Sequence, residues 1–141
     1  MLVASDRFGD LEIEDDKVLE FPEGLLGFPA AKRFAMIDSH DTGVYFWLQS
    51  IDDPALAFLS VVPWPFFPDY EPELSDDVQQ ALAIDQEEDA IVLCLLTVQR
   101  EQEAITANLL GPLVVNSHTR LGRQLVLAES GYSVRAPLAA A

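Results

Sequence analysis

Short apolar runs separated by turn-forming residues are the feature of this sequence that most restricts its fold. Three of them, Phe34 to Ile37, Val44 to Gln49 and Leu56 to Val62, are rich in aromatic or β-branched side chains and are bounded by Asp, Gly or Pro. Such runs are typical of β-strands. Because the runs are almost continuously apolar, we expect both faces of each strand to be covered, as in a barrel or a sandwich.

The first thirty residues contain two further short runs, in which apolar and polar residues alternate. They extend over Gly9 to Glu14 and Lys17 to Phe21, and Asp15-Asp16 separates them. A period of two predicts a β-hairpin with one buried face. The next segment, Phe21 to Pro29, places two glycines and two prolines among apolar residues. We therefore expect a structured, partly buried loop there.

Three more strand-like segments are predicted in the second half of the chain. They are Ala90 to Val98, Ile105 to Asn116 and Arg123 to Ala128. Pro112 cannot donate a ladder hydrogen bond, so the segment that contains it should be an edge strand, a bulge or two separate pieces.

One short α-helix is predicted after residue 74. Ser75 can cap its N-terminus, and Asp76 and Asp77 fall in the first turn, where the helix dipole favours carboxylates. The residues expected on its apolar face are Val78, Ala81 and Leu82. All these elements predict a mainly β fold, a barrel or a sandwich with one short α-helix, in which residues 1–141 form a single domain.

Composition and charge restrict the function. Half of the 141 residues are hydrophobic, which is typical of a folded domain. The net charge is -16, from 24 acidic and 8 basic residues, and a surface of that sign repels phosphate backbones. We therefore expect no direct binding to nucleic acid.

The distribution of apolar residues also bears on location. The longest uncharged apolar run, Ala90 to Val98, is far shorter than the roughly 20 residues that span a bilayer. The first residues lack the basic, apolar and small-residue regions of a secretory signal. We expect a cytoplasmic protein that does not associate with membranes.

Patterns that support catalysis or metal binding are scarce. The sequence has no Gly-x-Ser-x-Gly elbow, no glycine-rich phosphate loop and no spacing of metal ligands. Its histidines, His40 and His118, lie in predicted turns, and Cys94 lies in an apolar run where a buried, inert thiol is expected. We therefore expect neither an enzyme nor a bound cofactor or metal. An enzyme that depends on His40 or His118 is the least favoured alternative.

Acidic residues are concentrated in the middle of the chain. No lysine or arginine occurs between Phe34 and Gln99. The acidic residues near the predicted helix are Asp69, Glu71, Glu73, Asp76, Asp77, Asp85, Glu87, Glu88 and Asp89. A run of like charge is usually a solvated surface. A docking surface for a basic partner is a second interpretation of about equal weight.

An aromatic segment, Val62 to Tyr70, precedes these acids. Its three prolines exclude a central strand and make it stiff. Phe66 and Phe67 are expected more often to plug the end of a barrel than to be exposed. Trp64 and Tyr70 are the expected exposed pair, because rigid amphipathic rings beside acids are typical of protein-binding hot spots.

Four blocks, in order along nearly the whole chain, resemble the FliW family of flagellar assembly factors. The blocks are Phe21 to Phe28, Leu48 to Pro54 with Phe58 following, Phe66 to Tyr70, and Thr106 to Asn116 continuing into Arg120 to Gln124. The resemblance implies a small, mostly antiparallel β-barrel-like domain that binds the translational repressor CsrA and, alternatively, flagellin. It implies that free FliW sequesters CsrA from a surface outside the RNA site of CsrA, and that accumulating flagellin captures FliW and releases CsrA.

The residues predicted to bind a partner come from the aromatic segment, the acids after it and the last family block. They are Trp64, Phe66, Phe67, Tyr70, Glu71, Glu73, Asn108, Gly111, Pro112 and Asn116. The last four of these could instead form turns and bulges. The alternative function is a flagellin-specific chaperone that does not bind CsrA.

Overall fold

The computed structural model describes residues 1–99, 101 and 104–138, and most of its regular structure is β. The helix is α1 (Asp76–Ala81), and the 3-10 turns are Asp15–Lys17, Ser39–Asp41 and Glu87–Asp89. The strands are β1 (Leu2–Val3), β2 (Leu11–Glu12), β3 (Val18–Glu20), β4 (Arg33–Asp38), β5 (Tyr45–Ser50), β6 (Ala57–Val61), β7 (Ala90–Gln99), β8 (Ala104–Ala107), β9 (Leu113–Asn116), β10 (Gly122–Gln124) and β11 (Ala136–Pro137). The predicted class, mainly β with one short α-helix, is confirmed for these described residues.

The principal sheet is antiparallel, with the strand order β10-β9-β7-β6-β5-β4-β3. Strand β7 has partners along its whole length. Its first half, from Ala90 to Leu93, pairs with β9, and its second half, from Leu96 to Gln99, pairs with β8. Strand β11 extends the sheet beyond β8, and β1 and β2 form a separate pair. The segment containing Pro112 is therefore two strands, as one of the sequence-based alternatives predicts.

The two end strands of the sheet, β3 and β10, approach each other without a continuous ladder. One parallel bridge joins Glu20 to Leu121, and the Glu20 amide donates to the carbonyl oxygen of Arg120 over 2.9 Å. The sheet is thus barrel-like but not closed by hydrogen-bonded strands.

Side chains continue this approach beyond the bridge. The Glu23 carboxylate lies 3.2 Å from Nε of Arg123, and the Leu26 amide donates to Oε1 of Gln124 over 2.8 Å. We call this line of contacts, residues 20–26 against residues 120–124, the closing seam. It includes the first part of the predicted loop, in which Phe21 and Leu25 are buried while Leu26 is exposed, so the prediction of a structured, partly buried loop is confirmed.

Buried side chains form two large clusters on opposite faces of the sheet. The inner core contains Leu19, Phe21, Leu25, Ala31, Phe34, Leu48, Leu93, Leu113 and Val115. The outer core contains Val61, Tyr70, Leu82, Ile84, Val92, Cys94, Ala107, Leu109, Val114, Leu125 and Ala136. Successive residues of β7 enter different cores, because alternate side chains of a strand point to opposite faces. This confirms the expectation that the apolar strands are covered on both faces.

The predicted N-terminal hairpin is wrong. Strand β2 pairs with β1, and β3 pairs with β4, while Asp15–Lys17 forms a 3-10 turn between β2 and β3. The amino group of Met1 donates to the carbonyl oxygen of Ile13 over 2.9 Å, which holds β1 beside β2. Alternation identifies which face of a strand is buried, but it does not identify the neighbouring strand.

The helix prediction is correct at its start and partly wrong on its apolar face. The Ser75 hydroxyl accepts a hydrogen bond from the Val78 amide over 3.3 Å, and Leu82 is buried, but Ala81 is exposed. After α1 the backbone takes a left-handed conformation at Ala83 (φ 52°), and this turn brings Ile84 into the outer core. A helix of fewer than two turns has too short a stripe to bury a third apolar residue.

The last predicted strand, Arg123 to Ala128, is too long. Strand β10 ends at Gln124, because its partner β9 begins at Leu113 and offers no further ladder positions. Isolated hydrogen bonds follow, such as the one from the Leu127 amide to the carbonyl oxygen of Leu110 over 2.9 Å. The prediction fails after Gln124 because the sequence remains apolar from Leu125 to Leu127, where β9 no longer offers a partner.

Candidate partner-binding cleft

A cleft of about 950 Å³ lies between the aromatic segment and the region around α1. Its apolar lining includes Leu74, Ile84 and Val92, and Trp64 and Tyr70 line the side formed by the aromatic segment. The carboxylates that line it are Glu71, Glu73, Asp85 and Glu87. We call this feature the acidic cleft. An apolar lining with a polar border is the usual composition of a surface that binds another protein.

Backbone turns fix the aromatic side of the acidic cleft. The amides of Phe66 and Phe67 both donate to the carbonyl oxygen of Pro63, and the Tyr70 amide donates to that of Phe67. The Trp64 indole Nε1 donates to the carbonyl oxygen of Tyr70 over 2.9 Å. The indole ring is 40% exposed, so the prediction that Trp64 is exposed is confirmed.

The prediction that Tyr70 is exposed is wrong. Its side chain is 3% exposed, and its hydroxyl donates to the carbonyl oxygen of Leu109 over 2.6 Å. The ring also packs edge-on against Tyr132, with 4.7 Å between centroids. Burial raises the pKa of the Tyr70 hydroxyl above its ordinary value, and the neighbouring Cys94 raises it further. Buried tyrosines usually find a partner for the hydroxyl, and here that partner is distant in sequence.

Cys94 lies in the outer core and is fully buried, as the sequence predicts. Burial raises the pKa of the Cys94 thiol to about 12, although the adjacent Tyr70 side chain opposes this rise. The group is therefore a neutral thiol near neutral pH. A thiol rather than a thiolate is a poor nucleophile and a poor metal ligand.

Phe66 and Phe67 are partly buried and pack against the outer core. The Phe66 ring lies 5.7 Å from that of Tyr45 on β5. Their contacts hold the aromatic segment on the sheet, which agrees with the packing interpretation of these two residues.

Asn116 anchors the other side of the acidic cleft. Its Nδ2 donates to the carbonyl oxygens of Leu82 and Ala83 over 2.8 and 3.1 Å, and its Oδ1 accepts from the amides of His118 and Thr119. Asn116 is 3% exposed. It thus links the end of α1 to the turn between β9 and β10, and the link supports the left-handed residue Ala83.

A second link joins the same turn to the acidic residues after α1. The Ser117 amide donates to the carbonyl oxygen of Asp89 over 2.8 Å, and Nε2 of His118 lies 2.9 Å from Oδ1 of Asp89. The His118 side chain is 73% exposed. The acidic 3-10 turn is therefore attached to the sheet from both its backbone and its side chain.

The remaining predicted residues organise the bend between β8 and β9. Oδ1 of Asn108 accepts from the Gly111 amide over 2.9 Å, and Nε2 of Gln124 donates to the carbonyl oxygen of Gly111 over 3.0 Å. A Cβ at position 111 would lie 3.1 Å from both of these side-chain amides, and Pro112 is buried. Asn108, Gly111, Pro112 and Asn116 are absent from the described lining of the acidic cleft.

Glu71 and Glu73 are exposed, and both line the acidic cleft. The Glu71 amide donates to the hydroxyl of Tyr132 over 3.0 Å, which fixes the backbone at that point. Because the sequence has no lysine or arginine between Phe34 and Gln99, the carboxylates that line the cleft produce a negative potential there.

Of the predicted residues, the structure brings Trp64, Tyr70, Glu71 and Glu73 together at the acidic cleft. Sequence reasoning misses the apolar lining residues Leu74 and Ile84. Their signal is weak, because Leu74 is a single apolar residue among acids and Ile84 lies at the end of a short apolar run just outside the predicted helix. The contribution of Ile84 depends on the left-handed turn at Ala83, which no local sequence pattern predicts.

Within the described residues, no group of three or more His, Cys, Asp or Glu side chains is arranged to hold a metal ion. No helix in this part of the chain is long and apolar enough to cross a membrane.

Comparison with known proteins identifies the family. The sequence model of the FliW protein family matches residues 2–138. A flagellar assembly factor FliW from Natranaerobius thermophilus is 36% identical over 98% of this chain and 92% of its own length, and one from Magnetococcus marinus is 38% identical over 98% and 85%. A crystal structure of the flagellar assembly factor FliW superposes with a TM-score of 0.88 at 35% identity, covering 99% of this chain and 98% of the other. The chain therefore belongs to the FliW protein family.

Proposed function

We propose that this protein is a flagellar assembly factor that binds and antagonises CsrA and alternatively binds flagellin. The nearly full-length match to flagellar assembly factors supports the general role. The acidic cleft supports a role in protein binding, and it is the single structural observation on which the proposal depends.

In the proposed cycle, the free protein sequesters CsrA and so permits translation of flagellin. Flagellin that accumulates before export then binds the protein and releases CsrA, which represses translation again. This cycle couples flagellin synthesis to export and requires no catalytic turnover, cofactor or membrane contact. It takes place in the cytoplasm, where both partners are present before export.

The negative charge of the protein restricts how it can act on an RNA-binding repressor. A net charge of -16 disfavours contact with RNA itself. The protein therefore acts by binding CsrA directly and not by occupying the transcript. The family resemblance implies that it binds CsrA from a surface outside the RNA site of CsrA.

Calorimetric titration of the protein with CsrA from the same organism tests the proposal. We expect saturable binding that disappears when the protein is first saturated with flagellin from that organism. Binding to flagellin with no heat from CsrA would contradict the exchange and would favour the chaperone that binds flagellin alone. Binding to neither partner would contradict both functions.

Two substitutions test whether a partner binds at the acidic cleft. Replacement of Trp64 by Ala removes the exposed ring at the acidic cleft, and we expect it to weaken binding of a partner by roughly tenfold, as for a hot-spot residue. Val126→Ala removes another exposed apolar side chain and serves as the control. Circular dichroism on both variants verifies that the fold is intact.

A further inference from the structure

The acidic cleft combines two kinds of lining that act on different parts of a ligand. The half-buried Leu74 provides accessible apolar surface beside the buried Ile84 and Val92, and burial of one leucine-sized side chain against such surface increases affinity by roughly 10- to 100-fold. Trp64 adds an aromatic face that is partly exposed in the unbound protein. A ligand that fits this surface therefore presents an apolar side chain.

The carboxylates of the cleft determine which charged residues can flank that apolar side chain. Glu71, Glu73, Asp85 and Glu87 are exposed and line the cleft. The sequence supplies no lysine or arginine from position 34 to position 99 to neutralise them. A partner segment that carries carboxylates is repelled here, whereas one that carries lysine or arginine is attracted and steered towards the cleft.

The sides of the cleft are held by contacts within the protein. The Trp64 indole donates a hydrogen bond to the Tyr70 backbone, and the Tyr70 hydroxyl donates one to the Leu109 backbone. The Asn116 side chain donates one to the backbone at the end of α1. A surface that is already ordered loses little conformational entropy on binding, so short segments can bind it.

We propose that the acidic cleft binds a short cationic segment of the partner, in which an apolar side chain is flanked by lysine or arginine. The inference rests on the proposed function, because it specifies the chemistry of the partner segment that the protein recognises. The apolar side chain contacts Leu74 and Trp64, and the flanking cations pair with the carboxylates at the border.

A synthetic peptide tests this inference without either natural partner. The peptide carries a pair of leucines with a pair of lysines on each side, and the control peptide carries glutamates in place of the lysines. By fluorescence anisotropy we expect saturable binding of the lysine peptide, weakened about tenfold or more by a rise in salt from about 50 to about 300 mM. No binding of the lysine peptide, or equal binding of the two peptides, would overturn the inference.

A matched pair of double variants separates the cleft from net charge. Glu73→Gln with Asp85→Asn removes two charges at the cleft, and Glu14→Gln with Asp16→Asn removes two exposed charges elsewhere. We expect the first pair to weaken peptide binding about fivefold or more and the second less than twofold. Equal losses from the two pairs would show that overall charge alone attracts the peptide, and would overturn the inference.

Parallel titrations with CsrA and flagellin distinguish the two proposals. If either natural partner binds the native protein, and the cleft variant weakens that binding, the inference is supported. If the partners bind the native protein and the cleft variant equally well, the inference fails while the proposed function stands. If neither partner binds the native protein, the proposed function itself fails.

Discussion

The acidic cleft and the closing seam are two places where irregular segments complete the sheet, and they differ in how charge is arranged. At the seam, Glu23 is paired with Arg123, and a bridge joins Glu20 to Leu121. At the cleft, the segments are held by buried, uncharged groups such as the Tyr70 hydroxyl and the Asn116 amide, while the carboxylates line the opening.

The few basic side chains of the protein also differ between the acidic cleft and the rest of the fold. Arg33 pairs with Asp52, Arg123 pairs with Glu23, and the Arg7 guanidinium lies 4.4 Å from the ring centroid of Trp47. These contacts hold parts of the fold together, whereas the cleft lies in a region of sequence without basic residues. The difference suggests that uncharged anchors allow carboxylates to accumulate at a surface without cations of its own.

The largest expected loss of stability comes from a substitution in the closing seam. A Cβ at Gly24 would lie 2.4 Å from the carbonyl oxygen of Pro29, and the backbone φ is +71°. Gly24→Ala should therefore lower the free energy of unfolding by about 3 kcal/mol or more. Gly27→Ala is the matched control, because φ is +83° but nothing lies within 4 Å, and it should cost about 1 kcal/mol. Urea unfolding measures both, and equal losses would refute a steric origin.

An intermediate effect is expected at the cleft. Asn116→Ala removes four hydrogen bonds and leaves the buried end of α1 without its partner, which should cost about 2–4 kcal/mol. Asn108→Ala removes one bond, to Gly111, and should cost about 1 kcal/mol. Hydrogen exchange should accelerate at residues 76–89 in the first variant and not in the second. Unchanged exchange there would mean that Asn116 does not anchor this side of the cleft.

The smallest effect sharpens the electrostatic contrast. Glu23→Gln removes a partly exposed ion pair at the seam and should lower stability by about 0.2–1 kcal/mol. Glu73→Gln removes a carboxylate among like charges and should leave stability unchanged or raise it by a few tenths of a kcal/mol. Both changes should shrink in high salt. Thermal unfolding at two salt concentrations measures them, and a larger loss from Glu73→Gln would contradict the contrast.

Features that depend on local patterns are predictable from this sequence. The strand at residues 90–98, the Ser75 cap and the burial of Cys94 all follow from properties of neighbouring residues. The family follows from four blocks that span most of the chain.

Features that depend on distant partners are not predictable in this way. Tyr70 is buried because its hydroxyl meets the carbonyl oxygen of Leu109, 39 positions away. Strand β3 pairs with β4 and not with β2, although its alternation is compatible with either neighbour. The acidic cleft combines both kinds of feature, since its acids are visible in the sequence but the position of Ile84 in its lining depends on the turn at Ala83.

Strand β7 has a consequence for the order in which the protein becomes active during synthesis. Its alternate residues complete both cores, and it pairs with β6 before it in the sequence and with β8 and β9 after it. A nascent chain whose residues up to Asn116 have not yet emerged from the ribosome lacks β9. It also lacks the Asn116 side chain that anchors α1. Because small domains generally fold as units, the acidic cleft forms late in synthesis, and the surface that we propose binds a partner is incomplete in unfinished chains.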